Sequence, residues 1–207
     1  MVRALTREEG KLITRRRLIE AGAKLLAEKG LAALTASAVA REAGIAQPTF
    51  YVHFSDKDDL LNTIAAEKIG ALRAPLRAAR ERLRQGEGVE AIRETFRLSL
   101  QTMVEHPELF RLYLQQFHEP ASPMGAQARR LFDELRGDLS EDLARLGLPA
   151  SSPAEREQLD MVAESMIAQT QALGLAHLAG RYSSLEDIVE VLTRFAVGIL
   201  GLGTQAG

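Results

Sequence analysis

The chain has 207 residues, no cysteine and a formal net charge of −2, and 46% of its residues are hydrophobic. This length suits one or two domains with a core, and the composition excludes an intrinsically disordered chain, disulfide bonds and thiolate chemistry. No apolar run approaches the ~20 residues of a membrane-spanning helix, and residues 1–10 lack the apolar stretch of a signal peptide. We therefore expect a cytoplasmic globular protein with no membrane partner.

The charge is distributed unevenly along the chain. Residues 1–57 contain ten lysines and arginines against six acidic residues, whereas residues 58–207 contain 16 against 22. A basic end on an otherwise acidic chain is typical of a protein that meets a polyanion such as DNA with that end. The small net charge therefore does not exclude a nucleic-acid partner.

The N-terminal part of the chain has helical spacing of its apolar residues. A capping box is predicted at residues 6–9, and a first helix ends at Gly30. Its apolar stripe comprises Leu18, Ala21, Gly22, Leu25 and Leu26. Two short helices are predicted at residues 36–43 and 47–53, with Gly44 between them. A second capping box, from Ser55 to Asp58, opens the next helix.

The remainder is also predicted to be helical. A long helix from residue 56 to about residue 84 is expected to bend or break near Pro75, because proline is tolerated only in a first turn. Residues 120–123 are predicted to form a loop. Further helices are expected at residues 89–105, 107–119, 125–146, 153–180 and 184–202. The predicted fold is all-α, with about nine helices in an N-terminal three-helix domain (residues 1–57) and a larger body (residues 58–207).

The two short helices around Gly44 have the form of a helix-turn-helix, in which the second helix enters the major groove of DNA. The residues spaced to pack the helices together are Val39, Ala40, Ala43, Ile45 and Phe50. The exposed side of the second helix then carries Gln47, Pro48, Thr49, Tyr51 and His53. Glutamine can pair with adenine, proline or threonine can touch a thymine methyl, and tyrosine or histidine can reach phosphates.

The segment from Arg16 to Leu61 resembles the DNA-binding domain of the tetracycline-repressor (TetR) family of bacterial transcriptional regulators. The likeness lies in the first-helix pattern at residues 17–30, in Val39-Ala-Arg-Glu-Ala-Gly-Ile45, in Gln47-Pro-Thr-Phe-Tyr-Val-His-Phe54 and in Lys57-Asp-Asp-Leu-Leu61. Two positions depart from the family pattern: Ala46 replaces a frequent capping serine, and Ser37 stands where some members place a base-reading arginine.

The resemblance implies a dimeric repressor whose body, residues 58–207, binds a ligand and forms the dimer. It implies that Gln47, Pro48 and Thr49 contact bases. It implies phosphate contacts by Thr35, Ser37, Tyr51, His53 and Lys57. Phe50 and Phe54 are expected to be core residues. Arg15, Arg16 and Arg17 are open to two interpretations, a solvated helix start or a contact to the DNA backbone.

A ligand pocket is expected in the body of the chain. The family likeness places it among Phe96, Met103, Phe110, Tyr113, Phe117 and Phe132, with Gln116, His118, Gln169 and His177 as polar candidates. Ordinary core packing is the alternative interpretation of the same residues. Residues 106–117 are similar to a segment of family members that regulate fatty-acid metabolism in response to acyl-CoA, so an apolar effector such as an acyl-CoA is predicted.

A homodimer interface is expected on the last two long helices. Each of these helices has an apolar stripe so wide that packing within one chain would bury only one side of it. The predicted interface residues are Val162, Met166, Leu185, Ile188, Leu192, Phe195 and Ile199. An internal helical hairpin is the alternative.

Catalytic chemistry finds no support in the sequence. It contains no Gly-x-Ser-x-Gly elbow, His-Glu-x-x-His motif or Walker loop, and its four histidines are not clustered as metal ligands. We therefore expect no catalytic residue, metal or cofactor. The prediction is a ligand-responsive regulator that binds a palindromic operator. The rival is a helical carrier or enzyme for an apolar molecule, with an N-terminal domain that no longer binds DNA.

Overall fold

The protein is described by a computed structural model that covers residues 6–82, 85–86, 88–117, 119 and 123–201. Within these ranges it forms ten α-helices and one short 3-10 helix, without a strand. They are α1 (Arg7–Lys29), the 3-10 helix (Leu31–Ala33), α2 (Ala36–Glu42), α3 (Gln47–His53), α4 (Lys57–Gly70), α5 (Arg73–Arg82), α6 (Gly88–Glu105), α7 (Pro107–Phe117), α8 (Pro123–Arg145), α9 (Pro153–Leu178) and α10 (Leu185–Ile199). None of the helices in the described ranges is long and apolar enough to cross a membrane.

The all-α prediction is confirmed, and the break expected near Pro75 explains the extra helix. Helix α4 ends at Gly70 and α5 begins at Arg73, so Pro75 lies in the first turn of α5. The N–H groups of a first turn have no intrahelical acceptor, so proline loses no hydrogen bond there. Helix α8 begins at Pro123, two residues before the expected start. The loop predicted at residues 120–123 otherwise lies outside the described residues, as do residues 202–207.

The chain divides into two compact units. The first unit contains residues 1–68 and 108–125, and the second contains residues 69–107 and 126–207. The domain boundary expected after residue 57 therefore falls inside the first unit, where α4 begins. Helix α7 belongs to the first unit although it follows α6 of the second.

The first unit is built around the stripe predicted on α1. All five of its residues are buried, and α1 ends at Gly30, whose positive φ of 73° is tolerated best by glycine. Side chains from α1 to α4 complete the core: Leu18, Leu34, Val39, Phe50, Phe54, Leu60, Leu61 and Ile64. Gly22 brings α1 close to α4, because an added Cβ would lie 2.9 Å from Leu60 Cδ2.

The helix caps follow the sequence with one correction. Thr6 and Glu9 form the predicted capping box, with Glu9 N donating to Thr6 Oγ1 at 3.2 Å. The box predicted at Ser55 is wrong by one residue. Asp56 caps α4 instead, accepting from the backbone N–H groups of Asp58 and Asp59 through Oδ1. The carboxylate of aspartate is as good a capping acceptor as the serine hydroxyl, so spacing alone cannot choose between these neighbours.

The second unit packs α5, α6, α9, α10 and most of α8. Its core includes Leu100, Leu143, Ala163, Val189 and Leu192. A ladder of arginines on α5 and carboxylates on α8 joins those helices: Arg73 to Glu134 and Asp138, Arg77 to Asp138, and Arg80 to Asp142. Two further arginines join α6 to α10, with Arg93 paired to Glu190 and Arg97 to Glu186.

Candidate nucleic-acid interface

Helices α2 and α3 are joined by a tight turn with a defined geometry. Gly44 has φ of 64°, and the N–H of Ile45 donates to the carbonyl of Ala40 at 2.8 Å. The N–H of Gly44 donates to the carbonyl of Arg41 at 3.1 Å. These two bonds make a Schellman motif, which ends α2 and turns the chain into α3. The arrangement is a helix-turn-helix.

Helix α3 has one buried face and one exposed face. Phe50 and Phe54 are 0% and 1% exposed and fix the helix in the core. Gln47 and Pro48 are exposed, and Tyr51 is 56% exposed. Tyr51 follows Pro48 by three residues and Gln47 by four, the spacings that place side chains on one side of a helix, so all three contribute to the outer face. Of the predicted base contacts, Thr49 differs in being half-buried.

The outer face also contains Val52, which the sequence analysis did not assign to any contact. Its side chain is 64% exposed, more than that of Tyr51. The spacing could have identified it, because position 52 is five residues after Gln47 and four after Pro48. An exposed valine on this face offers the apolar surface that a thymine methyl requires.

Three of the other predicted phosphate contacts lie at helix starts. Thr35 and Ser37 are exposed at the beginning of α2, and Lys57 is exposed as the first residue of α4. The Thr35 hydroxyl oxygen caps α2 by accepting from Ala38 N at 3.1 Å, which leaves its O–H free to donate. At the start of α3, Ala46 supplies no side-chain cap.

The three consecutive arginines of α1 have different surroundings. Arg15 is half-buried, donates to the carbonyl of His53 at 2.9 Å and lies 4.3 Å over the Phe54 ring. Arg17 donates to the carbonyl of Ala43 at 2.6 Å, at the end of α2. Arg16 remains exposed and pairs with Glu20 one turn along. Two of the three therefore connect α1 to the ends of α2 and α3, a use that neither sequence interpretation included.

His53, the last residue of α3, is half-buried, and its carbonyl accepts the hydrogen bond from Arg15. Its Nδ1 atom is buried without a hydrogen-bond partner in the described residues. Burial, together with the positive charges of Lys11 and Arg15, holds the pKa of the His53 imidazole below its ordinary value of 6.5. The imidazole is therefore neutral at neutral pH, and Nε2 is the ring nitrogen left to meet a ligand.

The residues predicted to form a ligand pocket are divided between the two units. On α7 of the first unit, Phe110 and Tyr113 are buried and Phe117 is half-buried. In the second unit, Phe96 and Met103 are buried and Phe132, Gln169 and His177 are half-buried. Gln116 is half-buried, and His118 lies outside the described residues.

Two of the pocket candidates have packing partners in their own unit. The Met103 thioether lies against Gly174 of α9, where an added Cβ would be 2.7 Å from the sulfur. His177 donates through Nδ1 to the carbonyl of Tyr182 at 2.7 Å, which closes the turn after α9. Core packing therefore accounts for these contacts without a ligand.

The predicted dimer stripe is partly internal. Met166, Ile188 and Leu192 are buried in the core of the second unit, and Val162 and Leu185 are half-buried. Phe195 is 58% exposed and Ile199 is 42% exposed. The sequence analysis missed Met161 on α9 and Val191 on α10, which are also exposed apolar residues.

A cleft of about 580 Å³ lies within the first unit, beside the start of α4. Its walls are formed by Leu31, Ser55, Asp56, Lys57, Asp58, Asp59, Leu61, Asn62, Leu112 and Gln116. The carboxylates of Asp56 and Asp59 are already used as acceptors from backbone N–H groups. Within the part of the chain that the structure describes, no group of three or more histidine or acidic side chains is placed to hold a metal ion.

A helix-turn-helix with an exposed second helix is an arrangement with which DNA-binding proteins enter the major groove. Residues 18–64 match the family described as bacterial regulatory proteins, tetR family. The matched residues include the whole helix-turn-helix, α2 and α3.

Solved structures with the same fold are similar to the chain over most of its length. A tetR-family transcriptional regulator from Streptomyces coelicolor has a TM-score of 0.74 at 19% identity, covering 92% of this chain and 82% of that one. A transcriptional regulator from Rhodococcus sp. Rha1 has a TM-score of 0.68 at 20% identity, covering 89% and 96%. The fatty acid degradation regulator FadR from Bacillus halodurans has a TM-score of 0.67 at 16% identity, covering 93% and 96%.

Proposed function

We propose that the chain is a ligand-responsive repressor that binds a palindromic operator as a homodimer. The observation that carries this proposal is the exposed face of α3, where Gln47, Pro48 and Tyr51 project from a helix held by buried Phe50 and Phe54. A rigid helix with polar and small apolar side chains on its outer face suits the major groove.

Each contact residue has a proposed role in operator binding. Gln47 pairs with an adenine, and Pro48 and Thr49 meet thymine methyl groups. Phosphates are bound by Thr35, Ser37, Tyr51, His53 and Lys57. The free O–H of Thr35 and the exposure of Ser37, Tyr51 and Lys57 support this division. Base contacts would set sequence preference, whereas phosphate contacts would set register and affinity.

The homodimer would form through the outer faces of α9 and α10. Support comes from the exposed apolar side chains Met161, Val191, Phe195 and Ile199 on these two helices. Three small residues on the same two helices are also exposed: Ala168, Ala172 and Gly198. Large and small residues together can interlock with the same surface of a second copy, as a two-fold interface requires. Two recognition helices would then bind half-sites about 34–36 Å apart.

The proposed effector is an apolar small molecule such as an acyl-CoA. The similarity of residues 106–117 to fatty-acid regulators supports this class, and one structural neighbour is named a regulator of fatty acid degradation. The candidate pocket residues are Phe96, Met103, Phe110, Tyr113, Phe117, Phe132, Gln169 and His177. The effector would change DNA affinity only through a different affinity for the two spacings of the recognition helices.

The proposal is tested by in vitro selection of random duplex DNA with the full-length protein, followed by affinity measurements at increasing salt. We expect a palindromic consensus and an affinity that falls steeply with salt concentration. Binding without sequence preference or salt dependence would reject the repressor. Native mass spectrometry of protein purified from its own host would report the dimer mass and any retained ligand. Retained ligand without operator binding would favour the carrier or enzyme alternative.

A further inference from the structure

Lys11 lies on the face of α1 that is directed towards the end of α3. It precedes Arg15 by four residues, so their Cβ atoms are about 5–6 Å apart on the same side of the helix. Arg15 fixes the direction of that side, because its guanidinium donates to the carbonyl of His53 and covers the ring of Phe54. Lys11 is exposed, one turn further towards the N-terminus.

The charge of Lys11 acts on the end of α3, the helix proposed to enter the major groove. Its positive charge, together with that of Arg15, disfavours protonation of the His53 imidazole and adds to the effect of burial in holding the pKa of that group below 6.5. Arg15 is half-buried and bonded to His53 O and Thr63 Oγ1. Lys11 has no ion pair among the described residues. Of the two cations of α1 directed towards the end of α3, Arg15 is therefore already bonded within the protein, whereas Lys11 is available to an anion.

We propose that Lys11 is a phosphate-binding residue of the operator interface and acts beside His53 at the C-terminal end of α3. The inference rests on the proposed operator binding and adds a residue of α1 to it. The two side chains contribute differently. Lys11 supplies a full positive charge, and the neutral His53 donates one hydrogen bond from Nε2. Their phosphate would lie outside the bases that Gln47, Pro48 and Thr49 read.

The two contributions can be separated by the salt dependence of DNA affinity. Each charge that neutralises a phosphate adds about 0.9 to the slope of log affinity against log salt, whereas a neutral donor adds almost nothing. We measure operator affinity by fluorescence anisotropy at pH 7.5, using a duplex selected by the full-length wild-type protein. The variants are Lys11→Gln, Lys11→Arg, His53→Gln and Lys68→Gln. Lys68, in the last turn of α4, is the matched control for loss of one lysine charge.

We expect Lys11→Gln to lower the slope by about 0.9, so that its deficit relative to wild type shrinks about threefold between about 50 and 200 mM salt. Lys11→Arg should retain the wild-type slope, and Lys68→Gln should match wild type. His53→Gln should weaken binding with the slope unchanged.

A wild-type slope in Lys11→Gln would overturn the assignment of Lys11, and a reduced slope in His53→Gln would overturn the neutral role of His53. If the wild-type protein itself selected no DNA, the proposed function would fail, an outcome distinct from either of these. Far-UV circular dichroism of all four variants, compared with that of the wild type, excludes unfolding as the cause of any change in DNA affinity.

Discussion

Gly44 is the residue on which the geometry of the helix-turn-helix depends most directly. Its φ of 64° is unfavourable for a residue with a Cβ, and an added Cβ would also lie 3.3 Å from Arg17 Nη2. We expect Gly44→Ala to lower the free energy of unfolding by about 1–2 kcal/mol. Urea denaturation followed by circular dichroism measures this change.

The matched control is Gly137→Ala in the middle of α8, where an added Cβ meets nothing within 4 Å. There alanine should raise the free energy of unfolding by up to about 1 kcal/mol, because glycine is a poor helix former. Equal effects of the two substitutions would contradict the assignment of strain to Gly44.

Arg15 and Arg16 are neighbours with the same chemistry and different surroundings. Arg15→Gln removes a charged hydrogen bond to His53 O and the contact with the Phe54 ring, so we expect a loss of about 1–3 kcal/mol in unfolding free energy. Arg16→Gln removes only an exposed pair with Glu20 and should cost less than about 0.5 kcal/mol. Chemical denaturation of both variants measures the difference. A smaller effect at Arg15 than at Arg16 would show that the anchor does not contribute to stability.

At the scale of single residues, the sequence is informative where spacing determines burial. Phe50 and Phe54 were expected in the core and are there, because four-residue spacing puts them on one face with the other apolar residues. The anchoring by Arg15 and Arg17 was not predictable in the same way. A guanidinium can reach solvent, DNA or a carbonyl from the same position, and only the position of α3 and α2 decides which.

At the scale of helices, three hydrogen bonds of the ladder between α5 and α8 converge on Asp138. Its carboxylate accepts from Arg73 Nε at 2.7 Å and from Arg73 Nη2 at 3.0 Å, and Arg77 adds a third bond. These hydrogen bonds and charges hold the pKa of Asp138 below its ordinary value of 3.8. The ionised form is therefore more stable in the folded chain than in the unfolded one.

We expect Asp138→Asn to lower the free energy of unfolding at pH 7 by about 1–2 kcal/mol, between the values for exposed and buried charged pairs. The difference from wild type should persist above pH 3.8 and decline as pH falls through the folded-state pKa, because the wild-type carboxylate is then protonated. Urea denaturation across this pH range measures it. Asp133→Asn, in an exposed pair with Arg136, is the control and should have little effect. A constant difference down to the lowest pH would contradict the ionic origin.

The sequence predicted the ends of helices well where a backbone requirement decides them. Gly30 and Gly44 end helices because both adopt positive φ, and the break before Pro75 follows from its missing N–H. The cap of α4 was misplaced because Ser55 and Asp56 are both good acceptors. Which one caps the helix depends on the direction of the backbone after Phe54. Phe54 is buried, so tertiary packing fixes that direction.

At the scale of the whole molecule, the exposed apolar face of α9 and α10 predicts assembly. We expect wild-type protein to be a dimer by analytical ultracentrifugation and Phe195→Glu to be monomeric, because an unpaired carboxylate at the centre of an apolar interface is costly. Leu12→Glu on α1 is the control: Leu12 is 67% exposed, outside the proposed interface, so the dimer should persist. A dimeric Phe195→Glu protein at the same concentration would reject this interface.

The assignment of α7 to the first unit could not be predicted from the sequence, because amphipathic spacing identifies a buried face without identifying what covers it. The same limit applies to the predicted dimer stripe. Ile188 and Leu192 were grouped with Phe195 and Ile199 by periodicity, yet the first two are buried within the chain and the last two are exposed. One part of the broad apolar stripe is buried within the chain and the other part is exposed. Only the packing of the neighbouring helices determines which residues fall in each part.

The hydrogen bonds of Arg15 and Arg17 have a consequence for how far the outer face of α3 can vary. Arg15 and Arg17 donate to main-chain oxygens, of His53 and Ala43, so the bonds do not depend on which side chains occupy those two positions. The side chains on the outer face of α3 can therefore be replaced while the position of the helix against α1 stays the same. This scaffold is suited to diversification, and a library randomised at residues 47, 48, 51 and 52 is expected to yield folded variants with altered base preference.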